Sequence, residues 1–296
     1  KPLHFNRSIQ LSSDGGALSS DTGELIFREF DEKLGFSQTI AEHLQLKDER
    51  SHYIYANEQL LRQKIYQLIA GYQEDDAADQ LTHDPIFTQV LGTSALASQP
   101  SLSRFFHRFD DQAIEQLQAA NQALIDKVHR LRKTETLLID LDSSHADTYG
   151  QQENASYNAH YGTVGFHPLV AFDGLTGDFL KAKLRSGKVY TSNGTVEFLK
   201  PLLAHYNETF PETSTLVRGD SGFAVPGLYE LCEQESVYYI IRLKSNAKLR
   251  ALAEELHPAS EIRDVTKTEC YVEESIYQAN SWSKERRVII QSTRPA

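Results

Sequence analysis

The hydrophobic pattern changes period once along the chain. From about residue 37 to 133, apolar positions recur at three- and four-residue steps; from 134 onward they gather into short runs bounded by turn-formers. The first pattern predicts helices, the second strands with helices between them. NEQLLRQKIYQLIAGY sets Leu60, Leu61, Ile65, Leu68 and Ile69 on one stripe, with Gly71 suited to a helix end. In LASQPSLSRFFHRF, Ser98 is placed to cap a helix and Pro100 falls in its first turn. DQAIEQLQAANQALIDKVHRLR carries Ile114, Leu117, Asn121, Leu124, Val128 and Leu131 as a short heptad-type seam. Three heptads are few for a dimer, so packing on its own domain is the better reading of that seam. Residues 1–36 show little helical period, and LSSDGGALSSDTG reads as a turn-rich connector.

After residue 133 the predicted order is strand (LLIDLDSS), a polar loop, two strands (FHPLVAFD, DFLKAKLR) joined by a turn at 173–177, then a helix (TVEFLKPLLAHYNETF). Strand TLVRGD, helix PGLYELCEQE, strand VYYIIRLK, helix NAKLRALAEEL and a final hairpin follow. That order predicts a mixed α/β layer rather than a pure βαβ repeat.

Composition changes this picture little. At 296 residues, 40% apolar and 24% charged, the chain fits a soluble globular protein with room for two or three domains. No apolar run nears the length of a membrane span, so no membrane partner is expected. The two cysteines, Cys232 and Cys270, sit in unrelated contexts and support neither a disulfide framework nor zinc, which points to a reducing cytoplasm. The absence of any Met points to a processed or truncated piece. A net charge of −11 argues against nucleic acid for the chain as a whole, but contacts are decided by local clusters.

The candidate chemistry begins in ETLLIDLDSSHADTY, residues 135–149. Alternation along a strand puts Asp140 and Asp142 on one face. Two acids at the end of a buried strand are costly unless a cation neutralises them, so the run reads either as a divalent-metal site or as loop-facing carboxylates. Asp220, in the turn after TLVR, stands at the carboxyl end of a strand, where open α/β sheets bind ligands; a turn or helix-capping role is the plainer alternative. Converging carboxylates repel unless divalent cations fill the gap. Around the expected sheet lie Lys181, Lys183, Arg185 and Lys188, then Arg242, Lys244, Lys248 and Arg250, a local basic excess on which a polyanion could lie. Arg104 and Arg108, one helical turn apart, could face a phosphate backbone, or belong to an amphipathic helix with solvated arginines. His145, His160 and His167 match no zinc spacing.

LLIDLDSSHADTYG, YGTVGFHPLVAFDGLTGDFLKAKLR, TLVRGDSGFAVPGLYELC and YYIIRLKSNAKL together resemble DDE transposases of bacterial insertion sequences, most nearly the group numbered thirteen-eighty within the superfamily typified by insertion sequence four. The LASQPSLSRF run is similar as well, so the resemblance covers nearly the whole chain. It implies a ribonuclease-H-like mixed sheet (134–260) behind an N-terminal arm (1–36) and a helical DNA-binding or dimerisation domain (37–133), with a β-rich insertion from 261. It further implies acidic residues binding Mg2+, with Mn2+ able to replace it. Asp142 maps to the first acid, with Asp140 competing for that place, and Asp220 to the second. The expected partners are double-stranded DNA, both terminal inverted repeats and target, and a second copy of the chain; the place is the bacterial cytoplasm, at the nucleoid. The family's third acid, a Glu in a Tyr-Arg-Glu-Lys type of signature, has no counterpart here, so the resemblance implies a catalytically incomplete piece.

Two rivals share some of these residues. A haloacid-dehalogenase-type phosphatase also wants D-x-D-x-[ST] after a hydrophobic strand, which Asp140 to Ser144 satisfies. It also wants a further acid soon after its late Gly-Asp, and positions 223–225 are Phe, Ala and Val. A DNA-end-binding remnant without cleavage is the non-enzymatic reading.

Overall fold

The computed structural model describes residues 18–255 and 268–294, in two compact units, Lys1–Arg132 and Lys133–Ala296. Residues 1–17 of the expected arm, and 256–267, where the expected core meets the expected insertion, lie outside the described residues.

The first unit is helical: α1 (Glu24–Leu34), α2 (Phe36–His43), α3 (Asn57–Ile69), α4 (Ala77–Gln80), α5 (Pro85–Leu91), α6 (Gln99–Phe106) and α7 (Asp111–Arg132). Local chemistry sets the boundaries. Asp84 caps α5 by accepting from Ile86 N and Phe87 N at 2.9 Å each, with Pro85 at the first helical position. Ser98 has the expected extended backbone before α6, and Gly71, with φ 92°, follows the end of α3. Leu60, Leu61, Leu102 and Phe105 form one buried cluster, Tyr66, Phe87 and Val90 another.

Three expectations for this unit need correction. Helix α1 falls where the sequence shows little helical period, because its polarity is inverted: Glu24 and Asp31 are buried while Ile26 is 77% exposed. Asp31 is tolerated inside because it accepts from Ser37 N and Ser37 Oγ at 2.7 Å and from the Tyr66 hydroxyl at 2.9 Å. On α3, Leu68 and Ile69 point outward and Tyr66, Gln63 and Gln67 inward. Gln63 is satisfied there by trading two 2.8 Å hydrogen bonds with the Ala97 backbone. On α7 the buried apolar residues are Ala113, Ala120, Leu124 and Ile125, whereas Ile114 and Leu131 of the expected seam are exposed.

The second unit opens with β1 (Thr136–Ser143), followed by β2 (Ala146–Asp147), β3 (Ser156–Asn158), β4 (Thr163–Phe166), β5 (Leu169–Asp173), β6 (Phe179–Lys183), α8 (Thr195–Thr209), β7 (Ser214–Gly219), α9 (Pro226–Gln234), β8 (Tyr238–Ile241), α10 (Ala247–Glu255), β9 (Glu269–Tyr277) and β10 (Arg286–Arg294). The main sheet runs β6-β5-β1-β7-β8. Its first three strands pair antiparallel, while β7 pairs parallel with β1 and β8 parallel with β7. A three-strand meander extended by two parallel strands is the ribonuclease-H-like order, as expected. Alternate positions Leu137, Ile139 and Leu141, with Leu169, Ala171 and Val217, are buried, as are the apolar faces of α8 (Phe198, Leu199, Leu202, Leu203) and α9 (Leu228, Leu231).

Two smaller sheets complete the unit. β2-β4-β3 lies in what reads from the sequence as a polar loop; strands of two to four residues are too short to show a period. The β9–β10 hairpin packs through Trp282 and Val288 on Tyr229 of α9. Its Arg286 donates to both carboxylate oxygens of Glu233, at 2.8 and 3.1 Å, and holds that carboxyl down at about 2.

Candidate metal centre at the strand tips

Parallel register builds the site. β1 and β7 align Ile139 with Val217, Asp140 with Arg218 and Leu141 with Gly219. Asp142 is therefore the next residue of β1 and Asp220 the first residue beyond β7, at the tips of two neighbouring strands whose backbones run about 4.8 Å apart. The face is fixed by the pair one step back. Arg218 donates through Nε and Nη2 to Asp140 Oδ1 and Oδ2 at 2.6 and 2.5 Å, so Asp140 and Arg218 share a face. Asp142 lies two residues beyond Asp140, and Asp220, with extended backbone (φ −76°, ψ −174°), two beyond Arg218. Alternation returns both acids to that same face.

The three acids differ in what occupies them. Asp140 has both oxygens engaged by the guanidinium, whose own pKa the carboxylate raises. A β-carbon on Gly174 would fall 2.3 Å from Asp140 Oδ2, so the turn after β5 lies directly against this carboxylate and any side chain at 174 would make it shift. Asp142 and Asp220 are exposed. Each accepts one local hydrogen bond through Oδ1, Asp142 from Ser143 N at 2.7 Å and Asp220 from Gly222 N at 2.8 Å. Neither forms an ion pair among the described residues.

A buried network steadies the tip. The carbonyl of Val189 can only accept, so His167 Nδ1, 2.8 Å away, carries the proton and Nε2 is left to accept from Ser143 Oγ at 3.0 Å. Ser143 Oγ is also 3.4 Å from Thr191 Oγ1, and a β-carbon on Gly222 would meet Thr191 at 2.8 Å. The end of β1 and the Asp220 turn thus flank one threonine. Arg185, expected at the surface against a polyanion, is instead buried beneath this loop. It donates to the carbonyls of His167, Thr191 and Asn193 at 2.9, 3.0 and 2.7 Å, and burial lowers its pKa. Lys181 needs the same correction. Its Nζ donates to Phe198 O of α8 at 2.9 Å over the Phe198 ring, and burial lowers its pKa too.

Lys183, Lys188, Arg242 and Lys244 are exposed. Arg242 N donates to Gly219 O at 3.1 Å, which sets that residue beside the β7 tip. His145 is 3.0 Å from Asp147 Oδ1 and stacks on Tyr161, with His160 edge-on to the same ring. Arg104 and Arg108 belong to the first unit; α6 ends at Phe106, so Arg108 follows the helix rather than continuing it.

Sequence reasoning missed Arg218 and the His167–Ser143 link. The first was readable: LIDLD and LVRGD match acid to arginine and acid to acid when laid in parallel register. The second joins residues 24 apart through a loop without period, and nothing in the sequence announces it.

The family described as Transposase DDE domain group 1 matches residues 1–296. No curated protein matches in sequence. Among solved structures, the piggyBac transposase synaptic complex with hairpin DNA is similar at 14% identity and TM-score 0.38, over 88% of this chain and 58% of that one. The Drosophila P element transposase strand transfer complex gives 9% and 0.33, over 79% and 50%. The Mos1 transposase paired-end complex with left transposon end gives 9% and 0.26, over 84% and 83%. The chain thus spans 58% of the piggyBac transposase chain.

Proposed function

The chain belongs to the group 1 family of transposase DDE domains, and on that premise we propose that it cuts DNA at the terminal inverted repeats of an insertion sequence of the thirteen-eighty kind and joins the freed strand to target DNA. The observation that carries this reading is the β1–β7 register, which makes Asp142 and Asp220 neighbours on one face. Their chemistry fits a divalent cation. Both are hard oxygen donors, exposed, and each uses one oxygen for a local backbone N–H while the face offers no competing ion pair to them among the described residues. Asp142 and Asp220 would hold Mg2+, or Mn2+ in its place; when bound, the ion supplies positive charge that favours an attacking oxygen and offsets charge on the phosphate.

The chain's own residues do the rest. Arg218 neutralises Asp140, which removes a third like charge from the face and leaves the two outer acids to the cation. His167, through Ser143, fixes the backbone from which Asp142 projects. Lys183, Lys188, Arg242 and Lys244 meet the phosphate backbone on either side. Cleavage replaces one P–O bond by another from water and leaves a 3′-hydroxyl. Joining uses that hydroxyl to form a P–O bond to the target for the one it breaks. Two ends call for two copies of the chain, acting at the bacterial nucleoid. The test is excision of an element from a donor plasmid by this chain with the downstream coding region restored, which would supply the third acid: Asp142→Asn and Asp220→Asn each abolish it, and normal excision by both variants rejects the reading.

A further inference from the structure

Of the exposed tyrosines, Tyr53 and Tyr238 stand apart, while Tyr149, Tyr157, Tyr161 and Tyr190 all fall in the stretch that carries the β2-β4-β3 sheet and the loop after β6. Scattered singly, such rings need no explanation; gathered beside the strand tips, they do. Two of them reach the tips through a single neighbour. Tyr161 lies 6.1 Å from the ring of His167, which accepts from Ser143 Oγ. Tyr190 immediately precedes Thr191, the residue flanked by the end of β1 and the Asp220 turn. We propose that Tyr161 and Tyr190 each hold an unpaired nucleobase by stacking, on either side of the phosphate that the strand-tip acids act on. The inference rests on the reading of those tips as a DNA-cutting site and adds that the DNA is held there with its bases unpaired.

The Tyr161 ring is organised in advance. His145 stacks on it at 4.9 Å and 30°, and His160 meets it edge-on at 4.8 Å and 88°. His145 is itself fixed: its Nε2 lies 3.0 Å from Asp147 Oδ1, and a β-carbon on Gly165 would fall 2.7 Å from its ring. One face of Tyr161 is thus taken by an imidazole, and with 45% of the residue exposed the ring keeps its other face for a ligand. Tyr190 is placed by its loop. Its carbonyl accepts from Asn193 N at 3.0 Å, and Arg185 holds the Thr191 and Asn193 carbonyls. Lys188 N donates to Ser156 Oγ at 2.9 Å and Asn158 Nδ2 to Gly187 O at 2.7 Å, so the loop is tied to β3 as well as to the tips. Neither tyrosine hydroxyl makes a hydrogen bond among the described residues, so the fold uses neither for a polar contact. The chemistry selects the ligand. Bases in an intact duplex stack on one another and turn only their edges to the grooves, so a protein ring meets a base face only where a nucleotide is unpaired. Every base has such a face, which makes the grip tolerant of sequence. Lys188, exposed in the same loop, suits the phosphate between the two bases.

The test is fluorescence anisotropy of the full chain, in EDTA, with two labelled duplexes of equal length, one fully paired and one carrying a pair of unpaired nucleotides. Wild type should bind the second more tightly, and abasic sites in place of the unpaired nucleotides should abolish that preference. Stacking on one ring is worth about five- to 150-fold in affinity. Tyr161→Ala and Tyr190→Ala should therefore each weaken binding of the unpaired duplex at least about fivefold. Their affinity for the paired duplex, and the slope of log K against log salt, should stay as in wild type, because no phosphate contact is lost. Tyr161→Phe and Tyr190→Phe keep the ring and should bind like wild type. Equal wild-type affinity for the two duplexes overturns the proposal, as does a preference that abasic sites leave intact. So does a wild-type preference in both Ala variants, or an equal loss by them on both duplexes. Asp142→Asn and Asp220→Asn should keep the preference. If they also excise normally, the cutting reading fails while the stacking platform stands.

Discussion

Asp140 and Asp142 stand two residues apart on one strand and have different chemistry because only one faces an arginine. The Asp140–Arg218 pair is partly exposed, with side-chain exposures of 28% and 51%, so its worth to stability is that of a surface pair. A double-mutant cycle with Asp140→Asn and Arg218→Gln should return a coupling of that size by urea denaturation. It should leave cation binding at the tip in place; a coupling above about 3 kcal/mol would instead mark the pair as a buried strut. Glu24 makes the residue-scale prediction about pH. Burial, then the charge of Asp21, raise its carboxyl to about 7 from an ordinary 4.5. The folded chain then keeps a proton that the unfolded chain sheds first. Stability from this group is full below about 4.5, falls as pH climbs to about 7, and is flat beyond. Glu24→Gln should remove that slope, so the gap between the urea midpoints of variant and wild type widens through this window. Parallel midpoints across it would count against a proton held on Glu24.

At the scale of elements, the strands and helices of the second unit were legible because their apolar runs are long and their ends are punctuated by Gly and Pro: Gly194 before α8, Pro226 opening α9. The β2-β4-β3 sheet was not. It is held by backbone fit rather than by pattern, and Gly187 shows how tightly. A β-carbon there would fall 2.3 Å from Ser156 O and 2.5 Å from Gly165 O, both main-chain atoms that cannot swing away. Gly187→Ala should therefore cost about 1–3 kcal/mol by chemical denaturation. Gly23→Ala, with nothing within 4 Å of the added carbon, should be close to neutral. Equal effects of the two substitutions would refute this account of the small sheet. Helix α1 was illegible for the opposite reason. It has a pattern, but one with acids inside and Ile26 outside, and only the distant Tyr66 and Ser37 make sense of Asp31.

For the whole molecule, the sequence carried the identity of the strand-tip acids and of the sheet around them, since a D-x-D strand and a Gly-Asp strand end both survive as local patterns. Which basic residues stay at the surface was not readable. Arg185 and Lys181 look no different in sequence from Lys183 and Lys188, yet the first two are engaged in hydrogen bonds inside the fold. Nor does net charge report local charge here: the sum of −11 coexists with a cleft lined by three arginines. Among the described residues no helix is long and apolar enough to cross a membrane. The account as a whole depends on two acids from distant segments acting as one cation site. Mn2+ binding followed by electron paramagnetic resonance tests this most directly, because it needs neither the element's ends nor turnover. Wild type and Asp140→Asn should bind the ion alike, and Asp142→Asn and Asp220→Asn should each weaken it at least tenfold. Binding that survives in both of the latter variants contradicts the shared site.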